Sequence, residues 1–322
     1  MPARPRVITL AVALLCAAQA GVAAQGAAPA SQDPEKIIID TDIGDDIDDA
    51  FAVALALRSR ELNVLGISTT FGDTAGRARI LDRLLGEAGR QDIPVAVGIA
   101  TSSTASTAGQ FRFGRGGHFA RATHPNAVEF ILGQIHRYPG EITLVAIGPL
   151  DNIGALIDKD PQTFRKLKRV VLMGGSVQAI PPDYGSAPAV EPAAEYNIAH
   201  DIPSAQKLFL AGVPLYVMPL DSTRHLFLTE VNRQILFSQD TPLTNALMLL
   251  YHQSGIATPV LYDPMTLAYM LDPALCPVRP LHIRVDDGGF MRVESGSPNA
   301  QVCLHSDADA FFHFYMKRLL AQ

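Results

Sequence analysis

A run of aspartates behind a short apolar segment constrains this chain more than any other feature. Ile37–Ile39 are three branched apolar residues, and they predict a short buried strand. A helix N-terminus stabilises a nearby carboxylate by only about 0.3–1 kcal/mol, too little to offset the mutual repulsion of many. A hard divalent cation with oxygen ligands, Ca²⁺ before Mg²⁺, therefore explains the run best. Its six members follow the strand within ten positions: Asp40, Asp42, Asp45, Asp46, Asp48 and Asp49.

The local pattern predicts how these carboxylates are arranged. Because side chains alternate along a strand, Asp40 and Asp42 should share a face. A glycine turn follows, and Asp48 and Asp49 then open a buried helix that continues over the nearly all-apolar segment Ala50–Leu57. The carboxylates should therefore sit between the end of a strand and the start of a helix.

Two other interpretations of the aspartate run are possible. A solvated loop with a single helix cap would need no metal. An EF-hand would need Gly at the sixth and Glu at the twelfth position of its loop. Counted from Asp40, those positions hold Asp45 and Phe51, so the EF-hand is excluded and the solvated loop remains open.

Composition and charge fit one large globular domain. The chain has 322 residues, of which 48% are hydrophobic and 18% charged, so it can bury a large core. The net charge is −6, and the basic residues form no cluster longer than Lys166–Arg169. This balance argues against a nucleic-acid partner, which would need a basic surface for phosphates.

The N-terminus has the pattern of a secretory signal peptide. Arg4 and Arg6 precede an apolar run from Val7 to about Ala18, and small residues lead to a cleavage site after about Ala24. The apolar run is too short for a membrane span. We therefore expect an exported protein, periplasmic or secreted, that is free of the membrane once residues 1–24 are removed.

The remainder of the chain divides into a tether and a folded domain. Residues 25–35 are polar and contain alanine and proline, which predicts a flexible tether before a domain over residues 36–322. Removal of the signal peptide leaves two cysteines, Cys276 and Cys303. In an oxidising compartment they can form a disulfide, although the sequence does not show whether their geometry allows it.

Apolar strand-like segments alternate with helical ones along most of the chain. This order predicts an α/β fold, a mainly parallel, Rossmann-like open sheet with helices on both faces. A Ser/Thr/Gly-rich passage over residues 101–117 interrupts it and predicts a functional loop. Near the C-terminus, Leu281–Val285 and Phe290–Val293 predict a hairpin. The other predicted strands are Ile37–Ile39, Asn63–Thr70, Pro94–Val97, Ile142–Ile147, Val170–Met173 and Pro214–Met218.

Polar residues cluster where the predicted strands end. In open parallel sheets, ligands bind beyond the carboxyl ends of the strands. We therefore expect one crevice to collect the residues at these ends, which are Asp40, Asp42, Asp73, Gly148, Gly174 and Asp221.

The segment Ile37–Ala50, IIIDTDIGDDIDDA, resembles the N-terminal signature of the inosine–uridine nucleoside hydrolase family, Asp-x-Asp-x-Gly followed by Asp-Asp-Ala. Here two extra residues separate the two halves. Gly148–Asn152, Glu195–Asn197 and Tyr262–Pro264 resemble later motifs of the same family. The resemblance implies the nucleoside hydrolase fold, Ca²⁺-dependent hydrolysis of the N-glycosidic bond of ribonucleosides, and a dimeric or tetrameric assembly.

The resemblance also implies roles for individual residues. Asp42 would be the general base, and Tyr262 would stand next to the leaving group. The Ca²⁺ ligands would be Asp42, Asp49, Asp263 and the backbone carbonyl of Ile147. The ribose would be held by Asp48, Asp73, Glu195, Asn197 and Met173.

The chain departs from the family pattern at three places. Tyr262 stands where well-known members have a histidine thought to protonate a purine. A phenol has an unperturbed pKa of about 10, so it is a poor acid at neutral pH. His118, His225 or His252 could be the acid instead, or the base could leave with less assistance. Asp73 replaces a common asparagine, and residues 188–192 lack an expected one.

Two other functional classes stay open at this stage. An exported sugar- or nucleoside-binding protein could keep the pocket and lack turnover. A haloacid-dehalogenase-like phosphatase also begins with Asp-x-Asp after a strand, but it expects a threonine where this chain has Gly44. Neither the base preference nor the leaving-group acid follows from the sequence.

Overall fold

The structure is a computed structural model that describes residues 1–3, 33–106, 109–116, 119–178 and 191–321. Positions 4–24 of the predicted signal peptide and 25–32 of the predicted tether lie outside the described residues. Glu35, assigned to the tether, already belongs to the first strand. No helix in the described part of the chain is long and apolar enough to cross a membrane.

The fold is α/β, as predicted, with an eight-stranded sheet at its centre. The strand order is β3-β2-β1-β4-β5-β6-β10-β7, and a separate antiparallel pair consists of β8 and β9. Every neighbouring pair in the large sheet is parallel except β10 and β7 at one edge. The strands are β1 Glu35–Thr41, β2 Leu62–Thr69, β3 Val95–Val97, β4 Thr143–Ile147, β5 Arg169–Met173, β6 Leu215–Met218, β7 Val278–Leu281, β8 Ile283–Val285, β9 Met291–Val293 and β10 Ala300–Cys303.

Helices cover both faces of the sheet and follow most of the strands. They are α1 Asp48–Leu57, α2 Thr74–Glu87, α3 Ala127–Arg137, α4 Asp151–Lys159, α5 Pro161–Phe164, α6 Tyr196–Ala199, α7 Ile202–Leu210, α8 Leu220–Thr223, α9 Glu230–Phe237, α10 Pro242–Ser254, α11 Pro264–Leu271 and α12 Ala308–Leu320.

Alternation along the central strand divides the core into two layers. Ile37 and Ile39 pack in one apolar cluster with α1, α2 and α10–α12, whereas Ile38 packs in the other with α3, α4 and α7. All three isoleucines are fully buried. A strand covered on both faces is apolar at every position, which is why the run of isoleucines predicts a central strand.

The structure differs from the sequence-based expectation in two regions. The passage over residues 101–117 is not wholly irregular, because Gly109–Gly116 form a 3₁₀ helix that packs against α2 and α10. Phe111 and Phe113 of this helix are buried, and this apolar packing orders it. The edge strands β7 and β10 were not predicted, because Pro280 within β7 argues against a strand and β10 contains a single β-branched residue, Val302.

Cys276 and Cys303 form a disulfide with an S–S distance of 2.11 Å. Both residues are fully buried, and the bridge fixes the end of β10 to the segment that follows α11. They are separated by 27 positions in the sequence. Closing a loop of that length removes entropy from the unfolded chain.

We expect the double variant C276S/C303S to lose about 3 kcal/mol of unfolding free energy, the amount the loop-entropy model gives for a loop of this size. Urea denaturation followed by circular dichroism measures the loss. Wild-type protein under reducing conditions should unfold at the same urea concentration as the double variant. An unchanged midpoint in both samples would show that the bridge does not stabilise the fold.

Candidate active site

A cavity of about 300 Å³ opens beyond the carboxyl ends of β1, β4 and β5. Its size is at the lower end of the roughly 300–1,000 Å³ found for small-molecule sites. Its polar wall contains seven carboxylates, one amide and two phenols. These residues are Asp42, Asp45, Asp46, Asp48, Asp49, Glu195, Asn197, Tyr196, Tyr262 and Asp263, and the apolar wall consists of Ile147, Met173 and Leu220.

Two helix N-termini meet at the floor of this cavity. Asp48 and Asp49 form the first turn of α1, and Asp263 is the residue before α11. The backbone N–H of Asp263 donates to Oδ2 of Asp48 over 3.0 Å. Each of the three side chains offers a carboxylate oxygen, and these oxygens lie within 4.8 Å of one another. Residues 215 positions apart thus form one cluster of buried carboxylates.

The chemistry of this donor set fits a hard cation. Ca²⁺ binds oxygen ligands at about 2.4 Å, so two ligands on opposite sides of one ion are about 4.8 Å apart. Asp48, Asp49 and Asp263 supply oxygen ligands that lie no farther apart than this and are at most 4% exposed. Thr41 Oγ1 donates to Asp49 Oδ1 and fixes its orientation. A set of oxygen ligands without sulfur or imidazole favours Ca²⁺ or Mg²⁺ over Zn²⁺.

Burial makes these carboxylates poor anions in the absence of a cation. It raises the pKa of Asp42 to about 8 and that of Asp48 to about 7. The pKa values of Asp49 and Asp263 are also raised, first by burial and then by the neighbouring carboxylates. A bound divalent cation reverses this effect, because it stabilises the ionised form of every carboxylate around it.

Asp42 follows the last residue of β1 and reaches the cavity because of a neighbouring glycine. A Cβ atom on Gly148 would lie 2.8 Å from Asp42 Oδ1 and 2.9 Å from its backbone nitrogen. Gly148, in the Gly-Pro turn after β4, therefore provides the space that Asp42 occupies. The acidic loop, residues 42–47, begins here and turns at Gly44, whose φ is +117°.

Glu195 and Asn197 line the cavity and are held by the chain around them. Glu195 Oε2 accepts the N–H of Gly175 over 2.8 Å, and its Oε1 accepts the N–H of Asn197 over 3.0 Å. Asn197 Nδ2 donates to the carbonyl of Met173 over 3.1 Å. The carboxylate keeps further acceptor capacity, and the amide oxygen of Asn197 is a second acceptor, so the pair can receive two hydroxyl protons.

Two phenols complete the wall. Burial, followed by the negative charge of Asp48, raises the pKa of Tyr262. Burial and Asp45 raise the pKa of Tyr196 to about 12. Tyr196 also contacts His200, with ring centres 3.9 Å apart. Both phenols therefore keep their protons at neutral pH and can donate hydrogen bonds into the cavity.

Three aspartates at strand ends do not line this cavity, contrary to the sequence-based expectation. Asp40 accepts hydrogen bonds from Ser68 and Asn152. Asp73, expected to bind ribose, caps α2 and accepts the N–H groups of Gly76 and Ser106, each over 2.8 Å. Asp221 accepts the N–H groups of residues 177 and 178. Asp73 and Asp221 hold loops in place, whereas Asp40 connects β1 to β2 and α4.

The proposed alternative acids are also away from the cavity where the structure describes them. His225 contacts the backbone carbonyl of Ser306 over 3.1 Å, and His252 packs beside Tyr251. His118 lies outside the described residues, as do residues 188–190 of the segment that lacks the expected asparagine. No histidine in the described part of the chain lines the cavity.

Sequence reasoning missed the side chains that hold the acidic loop from below. Arg77 is 2% exposed and donates to the carbonyls of Asp42 and Ile43. Gln110 Nε2 donates to the carbonyls of Asp45 and Asp46 over 3.0 and 2.9 Å. A signal for Arg77 existed, because it lies four residues before the buried Leu81, on the apolar side of α2.

The fold and the cavity define an α/β protein with a pocket at the carboxyl edge of a mainly parallel sheet, where buried carboxylates could hold a cation. The family model for inosine-uridine preferring nucleoside hydrolases matches residues 37–313. The chain therefore belongs to that family, and the haloacid-dehalogenase alternative is wrong.

Individual relatives agree with this assignment. The chain is 30% identical to the probable uridine nucleosidase 2 of Arabidopsis thaliana, covering 89% of this chain and 98% of the relative. It is 28% identical to the pyrimidine-specific ribonucleoside hydrolase RihA of Citrobacter koseri, covering 88% and 97%. A solved plant nucleoside hydrolase superposes with a TM-score of 0.77 at 28% identity, covering 90% and 100%.

The carboxylate cluster yields a prediction about stability. At pH 8, D263N should raise the melting temperature of chelator-treated protein, because Asp263 is ionised in the unfolded chain and must be buried as an anion or protonated on folding, whereas an amide needs neither. The same variant should lose the rise in melting temperature that Ca²⁺ gives the wild type, since a ligand is gone. Differential scanning fluorimetry measures both effects.

D309N, at an exposed aspartate of α12, is the matched control and should behave like the wild type in both states. A D263N variant that is stabilised by Ca²⁺ as much as the wild type would contradict a role for Asp263 in cation binding.

Proposed function

We propose that the protein hydrolyses ribonucleosides to free base and ribose and that it does so with a bound Ca²⁺. Family membership supports the reaction. The observation that carries the metal and the site is the convergence of buried carboxylates in a cavity that also presents an amide and a further carboxylate.

The metal would be held by Asp42, Asp49, Asp263 and the carbonyl of Ile147, all residues of the cavity wall. Asp48 lies close enough to Asp49 and Asp263 to bind the same ion in addition to a ribose hydroxyl. When bound, Ca²⁺ would supply coordination sites for vicinal hydroxyls and would lower the pKa of a coordinated water. The many oxygen ligands of this site suit the flexible coordination of Ca²⁺ better than the strict octahedral coordination of Mg²⁺.

Asp42 would be the general base. Its carboxylate takes a proton from the attacking water as the water oxygen bonds to the anomeric carbon and the C–N bond breaks. The electron pair of that bond leaves with the nucleobase, which gains a proton. Asp42 is 6% exposed, so the proton transfer takes place away from bulk solvent.

Glu195 and Asn197 would hold the ribose while positive charge develops on the sugar. The hydrogen bonds from backbone N–H groups fix the Glu195 carboxylate before substrate arrives. A carboxylate already in position stabilises an oxocarbenium-like transition state without a reorganisation cost. The thioether of Met173 would pack against the sugar. Asp73 is not part of this proposal, because its carboxylate is used at the start of α2.

Tyr262 would donate a hydrogen bond to the leaving base. Because its pKa is raised, it is a weak acid, and bases that leave as stabilised anions should react best. Uracil spreads the negative charge over two carbonyl groups, whereas adenine depends on protonation. The relatives named as a uridine nucleosidase and a pyrimidine-specific hydrolase support the same preference. We therefore propose uridine as the preferred substrate.

The disulfide and the sequence support a proposal on location. A buried bridge between Cys276 and Cys303 is typical of an oxidising compartment, in agreement with export after cleavage of the signal peptide. A dimeric or tetrameric assembly stays a prediction, which light scattering of the mature protein can test.

The first experiment measures ribose release from uridine, cytidine, inosine and adenosine, with and without EDTA. We expect uridine to react fastest and EDTA to lower its rate more than tenfold, and we expect added Ca²⁺ to restore the rate better than Mg²⁺. Elemental analysis should find about one calcium per chain. Full activity in demonstrably metal-free protein would refute the metal, a faster rate with adenosine would refute the base preference, and binding without turnover would favour a binding protein.

The second experiment tests the general base. D42A should lower kcat for uridine by about 10²–10⁴-fold, the usual effect of losing a positioned general base. D287A, at an exposed aspartate, should retain wild-type kinetics and serves as the control. Near-normal turnover of a folded D42A variant would show that another group accepts the proton.

A further inference from the structure

Arg77 is a buried cation with no role in the reaction as described so far. It lies on α2, outside the cavity wall, and its side chain is 2% exposed. Removing a guanidinium from water is costly unless its N–H groups are paired. The groups that pair with Arg77 therefore show which part of the structure its burial stabilises.

Every hydrogen-bond acceptor of the Arg77 guanidinium belongs to one of two loops that follow neighbouring strands, and the guanidinium also stacks on the ring of Phe111, 5.5 Å from its centre. Nη1 donates to the carbonyls of Asp42 and Ile43, the latter over 3.1 Å, and Nη2 forms an ion pair with Asp45 Oδ2 at 2.8 Å. These three residues belong to the acidic loop. Nε donates to the carbonyl of Phe71 over 2.9 Å, in the loop after β2.

The contact with Phe71 holds a strained residue. Phe71 has a φ of 57°, in the left-handed region that L-residues other than glycine avoid. Such a conformation costs of order 1–3 kcal/mol and persists only when its surroundings enforce it. The Phe71 ring also contacts His200 and, edge-on, Tyr196 of the cavity wall. Arg77 therefore fixes both the acidic loop and a neighbour of the opposite wall.

We propose that Arg77 is a positioning residue for the calcium site: its guanidinium fixes the backbone of the acidic loop so that Asp42 points into the cavity and the loop delivers Asp48 and Asp49 to Asp263. The inference rests on the proposed Ca²⁺ site. Groups that orient metal ligands in this way usually change metal affinity by about 10–100-fold when they are replaced.

The charge and the geometry of Arg77 have opposite effects on a nearby cation. A positive charge beside the site repels Ca²⁺, so removal of the charge alone should tighten binding. Loss of the hydrogen bonds frees the acidic loop and leaves its carbonyls unpaired, so loss of the geometry should weaken binding. The sign of the change in affinity therefore identifies the role.

R77K isolates the geometry. Lysine keeps the charge, but its single ammonium group cannot reproduce the fork that reaches both loops. R77Q removes the charge as well. The matched control is R83Q, on the same helix, because Arg83 also donates to a backbone carbonyl, that of Phe113 over 2.9 Å, and also stacks on a phenylalanine.

The experiment is calorimetric titration of Ca²⁺ into chelator-treated protein, with the melting temperature and uridine kinetics measured in parallel. We expect the Ca²⁺ dissociation constant to rise at least about tenfold in R77K and R77Q and to be unchanged in R83Q. Saturating Ca²⁺ should recover part of the lost kcat in R77K, because the loop is reordered around the ion.

Four results would overturn the inference. Unchanged affinity in R77K with tighter binding in R77Q would show that Arg77 acts only as a charge. A lower melting temperature with unchanged affinity in R77K would show a purely structural role. If R77Q does not fold, R77K alone decides. If the wild type itself binds no Ca²⁺, the metal site and this inference both fail, whereas wild-type binding with unaffected variants refutes Arg77 alone.

Discussion

The fold buries several carboxylates close to one another, and their desolvation and mutual repulsion are a cost that the rest of the site must offset. Asp42, Asp48, Asp49 and Asp263 are each at most 6% exposed, and burial raises the pKa of every one. The N-termini of α1 and α11 offset part of this cost, and Arg77 offsets another part. In the proposed function a divalent cation offsets the remainder, which would link cation binding to the stability of this end of the sheet.

Aspartates at the strand ends have two separate uses. Those that line the cavity offer oxygens to a cation or a sugar. Asp40, Asp73 and Asp221 instead accept hydrogen bonds from backbone or side-chain groups of neighbouring strands, helices and loops. This second group gives the first its precision, because loops beyond a parallel sheet have no ladder hydrogen bonds of their own. A rigid set of acceptors around a developing positive charge is the main electrostatic requirement of glycosidic cleavage.

One side of the cavity is lined by carboxylates, whereas the other presents only phenols, which are weak acids. In the proposed function, Glu195 and the carboxylates assigned to the metal favour positive charge on the sugar, whereas the group assigned to the leaving base, Tyr262, is a phenol with a raised pKa. Such a site promotes cleavage mainly by stabilising positive charge on the sugar and only weakly by protonating the nucleobase. Selectivity among nucleosides should then follow the intrinsic stability of the departing base more than a dedicated acid.

The sequence by itself determined the fold class, the central strand, the helix that follows it and the run of aspartates between them, whereas Asp263 was implied only by the family resemblance. Local physics is sufficient there: an apolar run buried on both faces must be a central strand, and aspartates at its end must meet a helix start. It did not determine the short strands β7 and β10, the 3₁₀ helix over Gly109–Gly116, or the loop-holding use of Asp73. Tertiary structure alone decided that Asp263 reaches Asp48 and that Arg77 supports the acidic loop, because both contacts join segments whose separation in sequence carries no local signal.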